Sequence, residues 1–218
     1  MLTARALAVV AIVVSSLSVG SARAATLNLL GIGTPGTLAG NFDPSGLAAI
    51  NLDGVGVGTA ITIFNGLGNT GGLSLSVNTT VTFTFMGKEA GFTNQLLSGN
   101  TVLFDNNVAL GTQSATLTVN AGSLPFLFRA PGNLDANDDG SIATGLQIAF
   151  VKVSDSVFYA LFDDGGAGPD KDFDDMVVRV AAAPIATPLP GALPLFAGGL
   201  GALGLLGWRR KRKAIATA

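Results

Sequence analysis

The chain has no cysteine and no histidine among its 218 residues, and only one tyrosine and one tryptophan. Glu89 is its only glutamate. Each shortage excludes something. Without cysteine no disulfide can staple the fold, so stability must come from packing or from a bound ion. Without histidine and cysteine the usual tetrahedral zinc sites are excluded, and so are Ser-His and Cys-His nucleophilic catalysis. The commonest general base is missing as well.

Positive charge is scarce where a folded domain would need it. Of twelve cations, Arg5 and Arg23 lie near the N-terminus and Arg209, Arg210, Lys211, Arg212 and Lys213 near the C-terminus. Lys88, Arg129, Lys152, Lys171 and Arg179 remain between them, together with all fourteen acids, giving that region a net charge of −9. Such a surface repels phosphate backbones, which excludes nucleic acid as a partner, and it suits cations.

Long helical periodicity is also lacking after Ala25. Short apolar runs rich in Val, Thr and Phe are broken by Gly, Asn and Ser about every ten positions, the texture of a β-sandwich or jelly roll of nine or ten strands. Thr80–Phe85 alternates most cleanly, with Val81, Phe83 and Phe85 on one face and threonines on the other. Strands are expected at Thr26–Ile32, Val55–Phe64, Leu73–Val77, Thr80–Phe85, Thr101–Phe104, Ala115–Val119, Leu124–Ala130, Leu146–Val153, Val157–Phe162 and Met176–Val180. Ser45–Ile50 has the composition for one helical turn.

The two ends have a different character. Residues 1–24 read as a secretory signal: Arg5, the apolar run Ala6–Val14, then Ala22-Arg23-Ala24 as a small-x-small cleavage site. Residues 25–183 form the exported β-domain, and 184–191 a Pro-rich linker. Residues 192–208 carry no charge and form a candidate transmembrane helix about 26 Å long, short against a hydrocarbon core of about 30 Å. Trp208 sits where an amphipathic ring prefers the interface, and the basic tail 209–218 resists crossing. A plain single-pass anchor has the same parts.

Ten of the thirteen aspartates lie between Asp135 and Asp175, and all of these but Asp155 fall in two clusters. Asp135-Ala136-Asn137-Asp138-Asp139-Gly140 matches the opening of a calcium loop, with Asp135, Asn137 and Asp139 as the oxygen ligands. The twelfth position is Leu146 rather than a bidentate acid, and no helices flank it, so a full EF-hand is excluded. Asp, Asn and Gly also build turns without metal. The second cluster, Asp163 to Asp175, holds six Asp and one Lys, a net charge of −5. It joins two strands, so a hairpin draws its acidic ends together. Close, desolvated carboxylates cost several kcal/mol each unless paired. A Ca2+ ion with several oxygen ligands removes that conflict, with Asp163, Asp164, Asp170, Asp172 and Asp174 as candidates. Asp175 is placed to hydrogen-bond the loop backbone or to pair with Arg179. A solvated acidic hairpin is the alternative.

The tail Thr187-Pro188-Leu189-Pro190-Gly191, the apolar span and Arg209–Lys213 resemble the PEP-CTERM class of exported bacterial proteins, in the variant whose signature reads Val-Pro-Leu-Pro-Ala. Thr187 and Gly191 depart from that signature. Gly87-Lys88-Glu89-Ala90-Gly91 is similar to a segment found in many small proteins of the class. The resemblance implies an exosortase-type sorting enzyme as partner, a transient stay in the membrane, removal of the tail, and release to the cell surface or extracellular matrix. The run from Phe158 through Asp163-Asp164 to Asp172-Phe173-Asp174-Asp175-Met176 resembles a family of exported β-domains of adhesins and matrix proteins. That likeness implies calcium and contact with exopolysaccharide.

The leading expectation is therefore a non-enzymatic, calcium-stabilised surface or matrix protein with an adhesive role. The alternatives are a permanently anchored structural protein and a glycoside hydrolase using paired carboxylates. Tyr159 and Phe173 are the obvious aromatics for a sugar, and the core has the stronger claim on both. Glu89 reads as a surface partner for Lys88 or another cation.

Overall fold

The computed structural model describes residues 25–44, 52–65, 71–137, 142–165, 172–183, 196 and 198–204. Fourteen strands occur among them: β1 Leu27–Gly31, β2 Thr34–Thr37, β3 Ala60–Asn65, β4 Gly71–Leu75, β5 Thr79–Gly87, β6 Gln95–Ser98, β7 Thr101–Asp105, β8 Leu117–Val119, β9 Gly122–Ser123, β10 Leu127–Ala130, β11 Leu134–Asn137, β12 Gln147–Ser154, β13 Val157–Asp163 and β14 Met176–Ala182. The expected all-β class holds. The strands form three antiparallel sheets, ordered β2-β3-β12-β13-β14-β5-β8, β11-β10-β6-β7 and β1-β4-β9.

Alternation sets the packing. In β5, Val81, Phe83 and Phe85 turn to the core, as their spacing requires. They join Phe150, Phe158, Phe162 and Val178 of the same sheet in one buried cluster, which also takes Leu27 and Leu73 from the three-stranded sheet and Leu96 and Phe128 from the four-stranded sheet. Phe128 and Phe162 stack across the layers, centroids 4.8 Å apart and nearly parallel. Such a pair adds about 0.5–1.5 kcal/mol beyond its buried area. The result is sandwich-like, one large sheet facing two smaller ones.

The large sheet is buried on its other face too. Ala149, Val151, Tyr159, Leu161 and Val177 form a second cluster, covered by Leu38, Phe42, Leu52 and Val55 and by Phe173. Burial on both faces explains the unbroken apolar run of β13, where a half-exposed strand would alternate. Tyr159 is therefore core: its hydroxyl donates to Asp53 Oδ2 at 3.0 Å, and burial, then Asp53, push its phenol well above the usual range.

Several expectations need correction. Four strands were not anticipated: β2, β6, β9 and β11. The strand expected from Val55 begins only at Ala60, after turns at residues 53–54 and 57–58. Leu124–Phe126 precedes β10 as loop, although Phe126 is core. The strand expected from Ala115 begins at Leu117, and Ala115 is exposed.

The β-unit spans Arg23–Ile185, and a second unit combines Met1–Ala22 with Ala186–Ala218. Ala22 and Ala24, the stretch Ser45–Ile50, the signature Pro188, Leu189, Pro190 and Gly191, and the basic run Arg209–Lys213 lie outside the described residues. In the expected span, Phe196 and residues 198–204 are helical. No helix among the described residues is long and apolar enough to cross a membrane, so the expected C-terminal transmembrane helix has no support there.

Candidate functional site

The β13–β14 connection brings its two acidic ends together, as a hairpin must. Phe162 pairs with Met176, and just beyond that last rung the Asp164 backbone N–H donates to Asp175 Oδ2 at 2.7 Å. Of the two roles open to Asp175, the loop backbone takes it; Arg179 pairs with Asp53 instead, at 3.4 Å. Asp163 ends β13 and is buried, its Oδ1 accepting from the Gly165 N–H at 2.9 Å.

Asp172 and Asp174 are also buried, on either side of Phe173. Phe173 has a φ of 64°, a region that costs a bulky residue about 1–2 kcal/mol. Its ring is 2% exposed in the second core cluster, and that packing holds the conformation. The anchored turn delivers both neighbouring carboxylates to the segment before Pro44. Asn41 Nδ2 donates to Asp172 Oδ2 at 2.8 Å, and the Asp43 N–H donates to Asp174 Oδ2 at 2.5 Å. From the other side, the Glu89 N–H donates to the Asp174 carbonyl at 2.7 Å. Glu89 itself is exposed.

The electrostatics are those of buried like charge. Burial pushes Asp174 up to about 8; the Asp43 N–H opposes the rise, while a side-chain hydrogen bond with Asp172, which needs a proton on one of the two carboxyls, and the charges of Asp172 and Glu89 add to it. Burial likewise pushes Asp175 up to about 7, helped by Asp164, Asp163 and Asp172 and opposed by the Asp164 N–H. Asp174 Oδ1 is buried with no hydrogen-bond partner among the described residues. A second such atom, Asn94 Oδ1, sits on an amide whose Nδ2 donates to Asp164 Oδ2 at 2.8 Å. Unsatisfied buried oxygens are rare in native proteins, and a bound water or ion is one way to satisfy them.

The donors available are all oxygen, which suits calcium rather than zinc. Asn41 and Asn94 were invisible as candidates, because each lies far from the acidic run in sequence. Asp170 lies outside the described residues. Among the described residues no three acidic side chains gather as a ready-made metal group.

The first cluster is arranged otherwise. Asp135 lies within β11, not at the head of a loop, and accepts both Arg129 Nε at 2.7 Å and Nη2 at 2.9 Å. Ala136 forms an antiparallel bridge with Ile142. Asp139 and the Asn137 side chain lie outside the described residues.

No protein-family model matches the chain, and no curated protein matches it. Among solved structures, a high-affinity mannose-binding lectin of Ralstonia solanacearum aligns over 52% of this chain and 95% of its own, at 18% identity and a TM-score of 0.33. A likeness of that size carries no argument about this chain's ligand.

Proposed function

We propose that this chain is an exported, non-enzymatic β-domain of the cell surface or extracellular matrix, stabilised by calcium at its acidic corner and associated with exopolysaccharide. Delivery rests on the sequence of the two ends: a cleavable signal, then a Pro-Leu-Pro-Gly signature, an apolar span and a basic tail, which an exosortase-type enzyme would process after transient membrane residence.

One observation supports the calcium reading above the others: Asp174 is fully buried, one of its oxygens has no hydrogen-bond partner among the described residues, and its charged neighbours are acids. A proton or a cation can restore the balance. Calcium accepts six to eight oxygens in irregular geometry, including backbone carbonyls and water, so two or three side chains suffice. Asp172 and Asp174 would hold it beside the 41–43 segment, where Asn41 bonds Asp172; Asp163 and Asp164 do not gather with them as one group among the described residues. Bound calcium would supply charge neutralisation and cross-link the hairpin to the 41–43 segment. The burial of Asp172 and Asp174 under that segment supports a structural role, because a substrate could not reach them there.

The test is thermal unfolding of the full chain in millimolar calcium and in EDTA. Saturation at one hundred times the dissociation constant adds about 2.7 kcal/mol, several degrees for a domain of this size. Superimposable melting curves would overturn the calcium reading.

A further inference from the structure

On the outer side of the acidic corner lies a cavity of about 310 Å³ that the sequence does not announce. Phe92, from the connection between β5 and β6, forms one wall and is 54% exposed. Pro131 of the β10–β11 turn and Leu134 at the start of β11 supply apolar lining, and Leu134 is also exposed. Thr144, Asp164 and Gly165 close the remaining side. Tyr159 and Phe173 are buried, so Phe92 is the aromatic this surface offers.

The wall is built, not incidental. Two buried amides hold it from beneath. Asn106 Nδ2 donates to the Phe92 carbonyl at 3.0 Å, and the Asn106 N–H donates to the Asn94 carbonyl at 2.9 Å. The Asn94 N–H returns a bond to Asn106 Oδ1 at 3.1 Å, while Asn94 Nδ2 holds Asp164 at 2.8 Å. One amide pair therefore fixes both the aromatic platform and the carboxylate facing the same cavity. The Asn94 and Asn106 side chains bond backbone on one side and Asp164 on the other, which ties the two groups together although Asn94 Oδ1 itself finds no partner among the described residues.

We infer that this groove binds a neutral saccharide unit, with a ring's C–H face on Phe92 and its hydroxyls toward Asp164 and Thr144. The inference rests on the exopolysaccharide part of the proposed function and supplies the site that part lacks. Chemistry selects the occupant. A sugar ring is apolar on its face and polar at its edge, matching an apolar lining bordered by a carboxylate and a hydroxyl. The volume is at the low end for ligand sites, which fits one or two rings. Asp164 is the one titratable group in the lining, and the domain around it is strongly acidic, so an anionic polysaccharide is repelled. A cationic peptide is the competing occupant. Asp164 already receives Asn94 and lies within an acidic cluster whose charge calcium would cancel, which leaves a peptide little to gain.

The experiment titrates the full chain, in a detergent without a sugar headgroup, with maltohexaose, cellohexaose and mannohexaose. Hexagalacturonate and hexalysine serve as charged probes. Binding is read by NMR shifts, and melting in calcium and EDTA is recorded on the same samples. At least one neutral hexasaccharide should bind. Phe92→Ala should weaken it tenfold or more, Phe92→Trp should retain it, and Val57→Ala, a distant exposed apolar site, should leave it unchanged. The calcium-dependent melting shift should survive in Phe92→Ala. The inference is overturned if no neutral probe binds, if Phe92→Ala binds as the wild type does, or if only a charged probe binds. A wild type that binds sugar but shows no calcium shift overturns the calcium reading and leaves the groove standing.

Discussion

Asn41 Nδ2 donates to the buried carboxylate of Asp172 at 2.8 Å, across 131 positions of sequence. This bond, with that from the Asp43 N–H to Asp174, fastens the early loop to the acidic hairpin. Replacing Asn41 with Ala leaves a buried carboxylate short of a donor. That costs about 1–3 kcal/mol, or a fall of roughly 2–12 °C in melting temperature. Thermal unfolding of the variant checks it, and an unchanged Tm would show the contact to be energetically idle.

Asp174→Asn separates charge from shape. In EDTA above pH 8, where Asp174 is ionised, the variant should melt at or above the wild-type temperature, because a neutral amide replaces a carboxylate that burial and Asp172 disfavour. In calcium the order should reverse, since an anionic ligand is gone. A variant that keeps the full calcium shift would remove Asp174 from the site.

The metal-free protein should lose stability as pH rises. Asp174 and Asp175 hold protons in the fold up to about 8 and about 7, whereas an unfolded Asp releases its proton near 4. Between those limits the native state binds more protons than the unfolded chain, so unfolding free energy declines with pH. The stabilisation is fully present below about pH 4 and is lost as pH climbs through 7 and 8. Melting curves from pH 4.5 to 8.5 in EDTA should show this decline, and calcium should flatten it. A rise with pH in EDTA would contradict the burial of these acids.

Gly165 has a φ of +72° and lies against the Gly145 backbone, where an added Cβ would sit 2.3 Å from the carbonyl oxygen. Backbone cannot swing aside as a side chain can. Gly165→Ala should therefore destabilise by about 1–3 kcal/mol and weaken sugar binding in the adjoining groove. Chemical denaturation measures the first effect and the titration above the second.

Sorting makes a prediction about mass. Protein recovered from the surface or medium should lack the segment from the Pro188–Gly191 signature through Arg209–Lys213 and should begin near Ala25. Intact-protein mass spectrometry reads both ends. A mature form that retains Arg209–Lys213 would favour the permanently anchored alternative.

The large sheet was legible wherever one chemical pattern filled a strand. Thr80–Phe85 alternates because one face is core, and Val157–Phe162 is continuous because both faces are. The overlooked strands lack such a pattern. Thr34–Thr37 contains Pro35 and Gly36, which are tolerated because it is the edge of its sheet. Gln95–Ser98 offers four residues, too few for a period to show. The acidic hairpin was legible as a concentration of charge, whereas its supporting amides were not. Asn94 and Asn106 look like ordinary loop residues until distant segments bury them, and Asn41 until the hairpin carries Asp172 to it.

Composition and periodicity by themselves determined that this is an acidic, disulfide-free β-protein with its carboxylates crowded between two late strands. Those properties are local, because they depend on residue type and on neighbours one or two positions away. Only tertiary structure decided that Phe173 and Tyr159 would be core while Phe92 would face solvent, and that Asp174 would be buried beside Asp172 beneath the 41–43 segment. Burial depends on which remote segment lands on top, and no residue carries that information in its own side chain.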